Sequence, residues 1–501
     1  MRNAHEPSGV WARLFDHVGS GGGTLQVRVR ETVVRAIFSG MVPPEAPLPP
    51  SRVLALMLGV SRNTVSFALD ALVERGFLDA RPRSGLYVNP GILAAGMREA
   101  EAAAAAAPNV SLRWDKRLRA TPSRQRNVVK PLDWEASRYP FVYGQVDASL
   151  LPVADWRECE QQSLHVRAMR AWSRDHIDRD VEPLVDQIQQ RLLPARGIWA
   201  GRDEILVTAG AQMATYLLSQ VLLDRRATVG IEDPGYPDAR NTFELRAGRV
   251  AALPVDGEGL RVGAALKRCQ YAYVTPSHQC PTTVTMPIER RRELLDAAER
   301  HDIVLFEDDH ESELNFAARP LPALKSLDSR GRVIYMGSLS KTLSHGLRIG
   351  YVVAAPALIR ELRALRRLVM RHPPANNAHA AARFIGQGYH DAYIRRLNGV
   401  LRLRRRALVD ACAELLPECA IAPALGGSAA WIEAPRGVDA DTLARAAAAS
   451  GVLIEPGSVF FAAPGKVCRH FRMGYAAIGE GAIRDGVAEL AAVLHRGRRG
   501  M

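Results

Sequence analysis

From Trp134 onward, short runs rich in β-branched and apolar residues alternate with stretches that have helical spacing. This alternation is typical of a mostly parallel sheet covered by helices, an α/β arrangement that binds ligands at the carboxyl ends of its strands. The runs that predict strands are Glu204–Thr208, Thr228–Glu232, Tyr271–Thr275, Ile303–Glu307 and Arg332–Gly337.

The character of the sequence changes between residues 91 and 133. An alanine run is followed by Pro108-Asn109 and by basic residues scattered among polar ones, and the periodic packing signals fade. We therefore predict a small N-terminal domain at residues 20–90, a basic, Ala-rich linker at 91–133 and a large domain at 134–501, a division that suits a chain of 501 residues.

The chain is strongly basic, with a net charge of +13. Residues 81–130 hold ten Lys and Arg against three Asp and Glu, which is over half of the excess in a tenth of the chain. Such a concentration favours a polyanionic partner such as double-stranded DNA. A charge run that only keeps the linker solvated fits the same composition.

The N-terminal sequence lacks the pattern of a secretory leader, and no charge-free stretch of membrane-spanning length occurs. The six cysteines show neither close pairing nor metal-ligand spacing. We expect a cytoplasmic protein with reduced, buried thiols, no metal site and no membrane partner.

The sequence of the small domain predicts a helical module. Residues 24–40 have the spacing of an amphipathic helix. After a Pro-rich bend, Ser51 is expected to cap a short helix closed by Gly59, and Ser61 to cap the next one. Two helices joined by so tight a turn predict a helix-turn-helix.

The second of these helices opens with Ser61, Arg62, Asn63 and Thr64, whose polar groups can meet phosphates and base edges. A hairpin follows, predicted from Leu78–Arg81 and Leu86–Val88. Its tip would bring Arg81 and Arg83 to the minor groove or the DNA backbone. This order predicts an α+β winged helix-turn-helix, with a generic three-helix packing module as the alternative.

The segment from Pro49 to Val88 resembles the DNA-binding domain of the GntR family of bacterial regulators. The resemblance implies that Arg52, Arg62, Thr64 and the wing contact DNA. Phosphate contacts of this kind should make the affinity fall steeply with salt.

In the large domain, the segment GSLSKTLSHGLRIGY follows an apolar strand. Lys341 offers an amine that can form a Schiff base, while Ser338, Ser340 and Arg348 suit a phosphate. Taken alone, the segment would read as an exposed Ser/Lys loop.

Three other strand ends carry complementary chemistry. A carboxylate after Ile303-Val304-Leu305-Phe306 could hold a pyridinium nitrogen protonated, and the turn at Gly210, Ala211 and Gln212 could hold an anion at a helix N-terminus. Tyr236 stands on a proline-flanked loop, where its ring could stack on a flat cofactor. Together the four elements predict a pyridoxal 5'-phosphate site.

From about Trp134 to the C-terminus the chain resembles the class I/II aminotransferases of fold type I. The resemblance makes Lys341 the internal aldimine lysine, Asp308 the partner of the pyridine nitrogen, and Tyr236 the stacking ring. It implies that Arg472 grips the carboxylate of a substrate or effector. The phosphate would be held by Ser338, Ser340, Arg348, Gly210, Ala211 and Gln212.

A GntR-like head joined to an aminotransferase-like body resembles the MocR subfamily of transcriptional regulators. The phrases EDPGYPDAR, TPSHQCPTTVTMP and EDDHESELNF are similar to that subfamily in particular. Membership implies pyridoxal phosphate, a head-to-tail homodimer and the sensing of a metabolite or of the cofactor itself.

Two residues depart from the family pattern. His310 stands where the family has a tyrosine that hydrogen-bonds the phenolic oxygen of the cofactor, and an imidazole could donate that bond depending on its protonation. Thr283 stands where a glycine is usual, on the substrate side of the pocket. Both favour aldimine exchange over full transaminase turnover.

We therefore expect a DNA-binding transcriptional regulator that is not an enzyme and has no catalytic residue. It would sense an amine-bearing metabolite through aldimine exchange at Lys341, with the acidic group of the metabolite on Arg472. The alternatives are a catalytically active aminotransferase with an appended DNA-binding domain, and a GntR-type repressor whose body has lost the cofactor.

Overall fold

The computed structural model describes residues 7–18, 24–93, 113–175, 177–317, 320–463, 465 and 467–499. The chain divides into two compact units, Met1–Leu118 and Arg119–Met501, which we call the head and the body. The alanine run of the linker lies outside the described residues. All six cysteines are described; none forms a disulfide, and only Cys419 is not buried.

The head is a small helical unit with a hairpin and a core of its own. Val29, Val33 and Ile37 are fully buried against the next helices, and Trp11 and Phe15 add a helix that the sequence reading did not anticipate. The elements are α1 (Pro7–Val18), α2 (Leu25–Phe38), α3 (Ser51–Leu58), α4 (Arg62–Glu74), β1 (Leu78–Arg81), β2 (Gly85–Val88) and α5 (Pro90–Leu93).

The turn between α3 and α4 follows from local chemistry. Gly59 ends α3 with a left-handed φ of 63°, and the Ser61 side chain accepts a hydrogen bond from the Thr64 amide at 3.2 Å. The expectation that Ser51 caps α3 is wrong: Pro50 occupies the N-cap position and Ser51 is the first helical residue. The proline already fixes an extended entry into the helix.

The body is built on a twisted sheet that has eight strands within the described residues, in the order β4-β11-β10-β9-β8-β5-β6-β7. The five predicted strands agree with it to within one residue at each end. Strand β11 runs antiparallel between β10 and β4. The strands of the body are β3 (Tyr139–Pro140), β4 (Ile205–Thr208), β5 (Thr228–Asp233), β6 (Arg249–Asp256), β7 (Gly259–Leu260), β8 (Tyr271–Val274), β9 (Val304–Asp308), β10 (Val333–Ser338), β11 (Gly350–Val353), β12 (Ala420–Ile421), β13 (Ala429–Glu433), β14 (Val452–Leu453), β15 (Glu455–Pro456) and β16 (His470–Gly474).

Helices cover both faces of the large sheet, as a mostly parallel sheet requires. α9, α10 and α12 pack on one face, and α11, α13 and α14 contribute to the other. The helices of the body are α6 (Val153–Ser163), α7 (Val166–Trp172), α8 (Glu182–Gln187), α9 (Gly210–Leu222), α10 (Pro237–Glu244), α11 (Ile288–Arg300), α12 (Pro356–Met370), α13 (Ala375–Gly386), α14 (Tyr389–Leu415), α15 (Ala440–Ala449) and α16 (Glu480–Arg499).

A second, antiparallel sheet lies in the C-terminal part of the body, in the order β12-β13-β16-β15. Beside it, β14 pairs in parallel with β3, through Val452 and Tyr139. This pairing ties the first strand of the body to a segment about 310 residues later in the chain. The pairing thereby holds in place the residues that precede and follow β3 in the chain.

Among the described residues, no single helix is long and apolar enough to cross a membrane. The bent pair α3 and α4 meets the criterion by length and composition only.

Candidate functional site

A cavity of about 360 Å³ opens at the carboxyl edge of the large sheet. Five loops reach it, because β4, β5, β8, β9 and β10 all end at this edge. Of the predicted cofactor and effector residues, Gly210 alone is not in its wall. The wall residues that the sequence predicted are Ala211, Gln212, Tyr236, Asp308, His310, Ser338, Ser340, Lys341, Arg348 and Arg472.

Lys341 lies in the loop that joins β10 to its antiparallel neighbour β11. A hydrogen bond from the Leu339 amide to the Ile349 carbonyl, at 3.1 Å, closes the base of this loop. The Lys341 Nζ lies 4.4 Å from the centroid of the Tyr143 ring. Burial lowers the pKa of Lys341, so its amine is more easily deprotonated than that of an exposed lysine.

Asp308 is the last residue of β9 and is 5% exposed. Its Oδ2 accepts a hydrogen bond from the Tyr273 hydroxyl. Its Oδ1 is buried and has no partner among the described residues. A buried, unpaired carboxylate oxygen is costly, and a ring N–H from a bound ligand would satisfy it.

A cradle for an anion lies at the start of α9. The main chain at Gly210 has a φ of 80°, and a Cβ there would lie 2.8 Å from Arg348 Nη2. Arg348, itself left-handed with a φ of 51°, donates to the Ala209 carbonyl at 3.0 Å. Ser338 and Ser340 stand opposite in the same cavity. Helix-terminal amides, a guanidinium and two hydroxyls are the donors that a phosphate needs.

Tyr236 forms another wall of the cavity. It is the N-cap residue of α10, and Pro237 follows it as the first helical residue. The Tyr236 hydroxyl donates to Asp238 Oδ2 at 3.0 Å, which fixes the ring.

The two departures from the family pattern are both buried. His310 lines the cavity, and its Nε2 has no hydrogen-bond partner among the described residues. Thr283 has a φ of 65°, a region that suits glycine, and its buried Oγ1 is also unpaired in the described part of the chain. The Thr283 backbone therefore has a conformation that favours glycine.

Arg472 reaches the cavity from β16 in the second sheet. Opposite it on β15, Glu455 Oε2 accepts a hydrogen bond from Arg472 Nε at 2.8 Å and forms an ion pair with Nη2 at 2.7 Å. The guanidinium carbon lies 3.7 Å from the centroid of the Tyr143 ring. Arg472 is thus in place for an anionic ligand, but much of its charge is already compensated.

Sequence reasoning missed several wall residues, notably Lys130, Tyr143, Cys280 and His345. Lys130 donates to the main-chain carbonyl of Tyr143, and burial lowers its pKa to about 8. Burial likewise lowers the pKa of His345 to about 4, so this imidazole is neutral at pH 7. Lys130 had been counted in the basic linker, and the position of Tyr143 depends on the distant pairing of β3 with β14.

In the head, the predicted DNA-contacting residues lie on one helix start, the helix before it and the wing. Arg52, Ser61, Arg62, Asn63, Arg81 and Arg83 are exposed, and Thr64 is half-buried. In the wing, Arg81 stacks on Tyr87 with its guanidinium carbon 4.0 Å from the ring centroid, and Arg83 at the tip has a φ of 61°.

Comparisons with known proteins support the folds described for the head and for the body. Residues 25–88 match the family of bacterial regulatory proteins of the gntR type, and residues 151–490 match aminotransferase class I and II. The HTH-type transcriptional regulator TauR of Rhodobacter capsulatus is 39% identical over 95% of this chain and 97% of its own length. The probable rhizopine catabolism regulatory protein MocR of Rhizobium meliloti is 31% identical, covering 91% and 90%.

Solved structures that resemble the body include aminotransferases. Kynurenine aminotransferase from Pyrococcus horikoshii has a TM-score of 0.70 at 27% identity, covering 77% of this chain and 97% of its own. The α-aminoadipate aminotransferase LysN from Thermus thermophilus, solved with N-(5'-phosphopyridoxyl)-L-leucine, has a TM-score of 0.69 at 27% identity, covering 78% and 100%. The cofactor of the body is therefore pyridoxal phosphate, and the chain belongs to the MocR subfamily of GntR-type transcriptional regulators, with a winged helix-turn-helix head and a fold-type-I aminotransferase body.

Proposed function

We propose that this regulator senses a small amine-bearing metabolite in the cavity of its body and reports it through DNA binding by its head. One observation carries the proposal: Lys341, the unpaired oxygen of Asp308 and Arg472 meet in one cavity of a chain that also presents an exposed recognition helix.

The residues of the cavity suit the parts of the cofactor. Asp308 Oδ1 would accept from the protonated ring nitrogen, and the Tyr273 hydroxyl would hold the carboxylate in place. The helix start at Gly210, with Ser338, Ser340, Arg348, Ala211 and Gln212, would bind the phosphate. Tyr236 would pack against the ring, and His310 Nε2 would offer a donor or acceptor to its phenolic oxygen.

Pyridoxal phosphate supplies an aldehyde carbon that bonds reversibly to primary amines. Lys341 is the residue that would hold it, because its desolvated amine gives up a proton readily. An effector amine would replace the Lys341 amine, and Arg472 would orient the acidic group of the effector. Release of Lys341 from the cofactor would give the body two states. An effector that binds one state more tightly than the other would shift their populations, which is the condition for a switch.

In the head, Arg62, Asn63 and Thr64 would enter the major groove, while Arg52 and Ser61 would contact phosphates. Arg81 and Arg83 of the wing would reach the minor groove or the backbone. A head-to-tail homodimer would present two such heads to repeated half-sites in a cytoplasmic setting.

An active aminotransferase with an appended DNA-binding domain is the competing function. The body resembles enzymes closely enough to support it, and the 2-aminoadipate transaminase of Thermus thermophilus is 32% identical over 61% of this chain. Two residues argue for sensing instead: His310, at the expected place of the phenolic oxygen, and the strained Thr283, which borders a small void also lined by Arg472.

The deciding experiment compares the wild type with Lys341→Ala and, as a matched control, the exposed-lysine variant Lys267→Ala. Each is titrated with primary amines while its visible absorption, its DNA binding and keto-acid formation are followed. We expect a cofactor band that only Lys341→Ala loses, and amine-dependent DNA binding without keto product. Steady turnover to a keto acid would establish the enzyme, and a wild type without the band would refute the role of Lys341.

A further inference from the structure

Three cationic side chains converge on Tyr143, which follows β3 in the chain. Arg472 and Lys341 approach the ring, with their cationic atoms 3.7 Å and 4.4 Å from its centroid. Lys130 donates to the main-chain carbonyl of the same residue. All three line the cavity that would hold the cofactor.

The carboxylates around Tyr143 do not balance these charges one for one. Glu455 Oε2 pairs with Arg472, and Glu455 Oε1 accepts from the Tyr143 amide at 3.3 Å. Among the described residues no carboxylate forms an ion pair with Lys130. Its one hydrogen-bond partner in that part of the chain is a carbonyl, whereas an ammonium has three donors.

Arg472 has less capacity to bind an anion, because Glu455 already pairs with it. Glu455 Oε2 lies 2.8 Å from Arg472 Nε and 2.7 Å from Arg472 Nη2, and Arg472 Nη1 contacts Cys280 Sγ at 4.0 Å. A carboxylate or sulfonate entering beside Arg472 would therefore meet an arginine that is already paired. Among the described residues Lys130 has no ion pair with a carboxylate, and neither has Lys341, which would hold the cofactor. Lys130 is therefore the basic residue left for an acidic group.

We propose that Lys130 and Arg472 together form the subsite for the acidic group of the effector, and that Lys130 determines specificity for acidic over neutral amines. The inference rests on the proposed amine-sensing function. It names the effector class as a short primary amine with one strongly acidic group, a carboxylate or a sulfonate. The effector must be small, because the cavity of about 360 Å³ lies at the low end of the usual range for ligand pockets and must also take the cofactor.

The test uses the cofactor-loaded full-length protein as wild type, Lys130→Met, Lys130→Arg and the exposed-lysine control Lys267→Met. Changes in the visible band on titration give the Kd of 3-aminopropanesulfonate, of 3-aminopropanoate and of 1-aminopropane, which lacks the acid. Calorimetry gives the Kd of propane-1-sulfonate, which lacks the amine. Methionine keeps the length of the side chain and removes its charge.

We expect Lys130→Met to raise the Kd of both acidic amines and of propane-1-sulfonate by about tenfold or more, the effect of losing one charged hydrogen bond. The Kd of 1-aminopropane should change less than about twofold. Lys130→Arg should retain most of the affinity, and Lys267→Met should match the wild type.

Equal weakening of acidic and neutral amines in Lys130→Met would overturn the subsite, because Lys130 would then act on the cavity as a whole. Unchanged affinities would overturn it as well. If no amine titrates the wild type, amine sensing fails, and propane-1-sulfonate still decides the subsite. Its binding to the wild type and loss in Lys130→Met would support the subsite, and any other calorimetric result would refute it.

Discussion

Thr283 shows how much backbone strain a single residue can hold beside a ligand site. A β-branched side chain at a φ of 65° costs free energy, and its buried hydroxyl lacks a partner among the described residues. The residue borders a small void of about 10 Å³ that Arg472 and His310 also line. The strain therefore lies on the side of the cavity that would receive an effector.

We predict that Thr283→Gly stabilises the body by about 1 kcal/mol, because relief of strain and of the unpaired hydroxyl exceeds the loss of one buried methyl and of chain stiffness. Urea unfolding measures the difference. The neighbouring Thr282→Gly is the control and should destabilise, since the Thr282 hydroxyl donates to Gln279 Oε1 at 2.6 Å. A destabilised Thr283→Gly would mean that the turn is not strained.

Glu232 gives the body a predictable dependence on pH. Burial raises its pKa to about 7 from the model-peptide value of 4.5, despite hydrogen bonds from Thr275 and Gln279. The folded state therefore binds this proton more tightly than the unfolded state. The stabilisation is complete below about pH 4.5 and is lost as the pH rises through 7.

Between pH 8 and pH 5.5, wild type should gain about 2 kcal/mol in free energy of unfolding relative to Glu232→Gln, whose side chain does not titrate. Urea unfolding at the two pH values gives the difference, with Glu361→Gln on the exposed side of α12 as the control. A constant difference between wild type and Glu232→Gln would show that Glu232 titrates at its ordinary pKa.

At the scale of elements, the proposed DNA contacts are divided between the recognition helix and the wing. Arg83 stands exposed at the tip of the hairpin, while Arg81 is held against Tyr87. An exposed guanidinium on a hairpin tip is suited to a phosphate contact. Its contribution should be electrostatic and independent of sequence.

We predict that Arg83→Ala lowers the slope of log affinity against log salt, measured on non-specific duplex DNA, by about 0.9, the value for one lost phosphate contact. Fluorescence anisotropy at several salt concentrations gives the slope. Arg35→Ala, an exposed position on α2, should leave it unchanged. If both variants behave alike, the wing does not touch DNA.

Five of the eight strands described for the large sheet could be predicted, because buried parallel strands read as short, continuous apolar runs; β6, β7 and β11 were not foreseen. Each then ends at one edge, so the residues after them, including Asp308 and Lys341, could be expected to meet. The antiparallel elements β12, β13 and β15 were not foreseen, since they are short and their pairing joins distant segments. Lys130 and Tyr143 were not predicted for the same reason. No local sequence pattern marks a residue that a distant strand pairing brings to the site.

At the scale of the whole molecule, each unit has buried clusters made of its own residues. The cofactor binds only the body. Ligand binding stabilises the unit that binds it by mass action, in proportion to the logarithm of ligand concentration over Kd.

We predict two transitions in calorimetric unfolding, of which pyridoxal phosphate raises the one that belongs to the body by several degrees at a hundredfold excess over Kd. Lys341→Ala should show a smaller rise, because it lacks the amine that anchors the cofactor. A single transition that does not respond to the cofactor would contradict this assignment.

The separate core of the head also bears on how such regulators diversify. A unit that has its own core can be exchanged by recombination in the stretch of chain before Arg119, without repacking the cofactor cavity of the body. The DNA sequence specificity of the head and the ligand specificity of the body can then evolve independently. The same seam offers a joining point for chimeric biosensors, in which a foreign head would report on the metabolite that we propose this body senses.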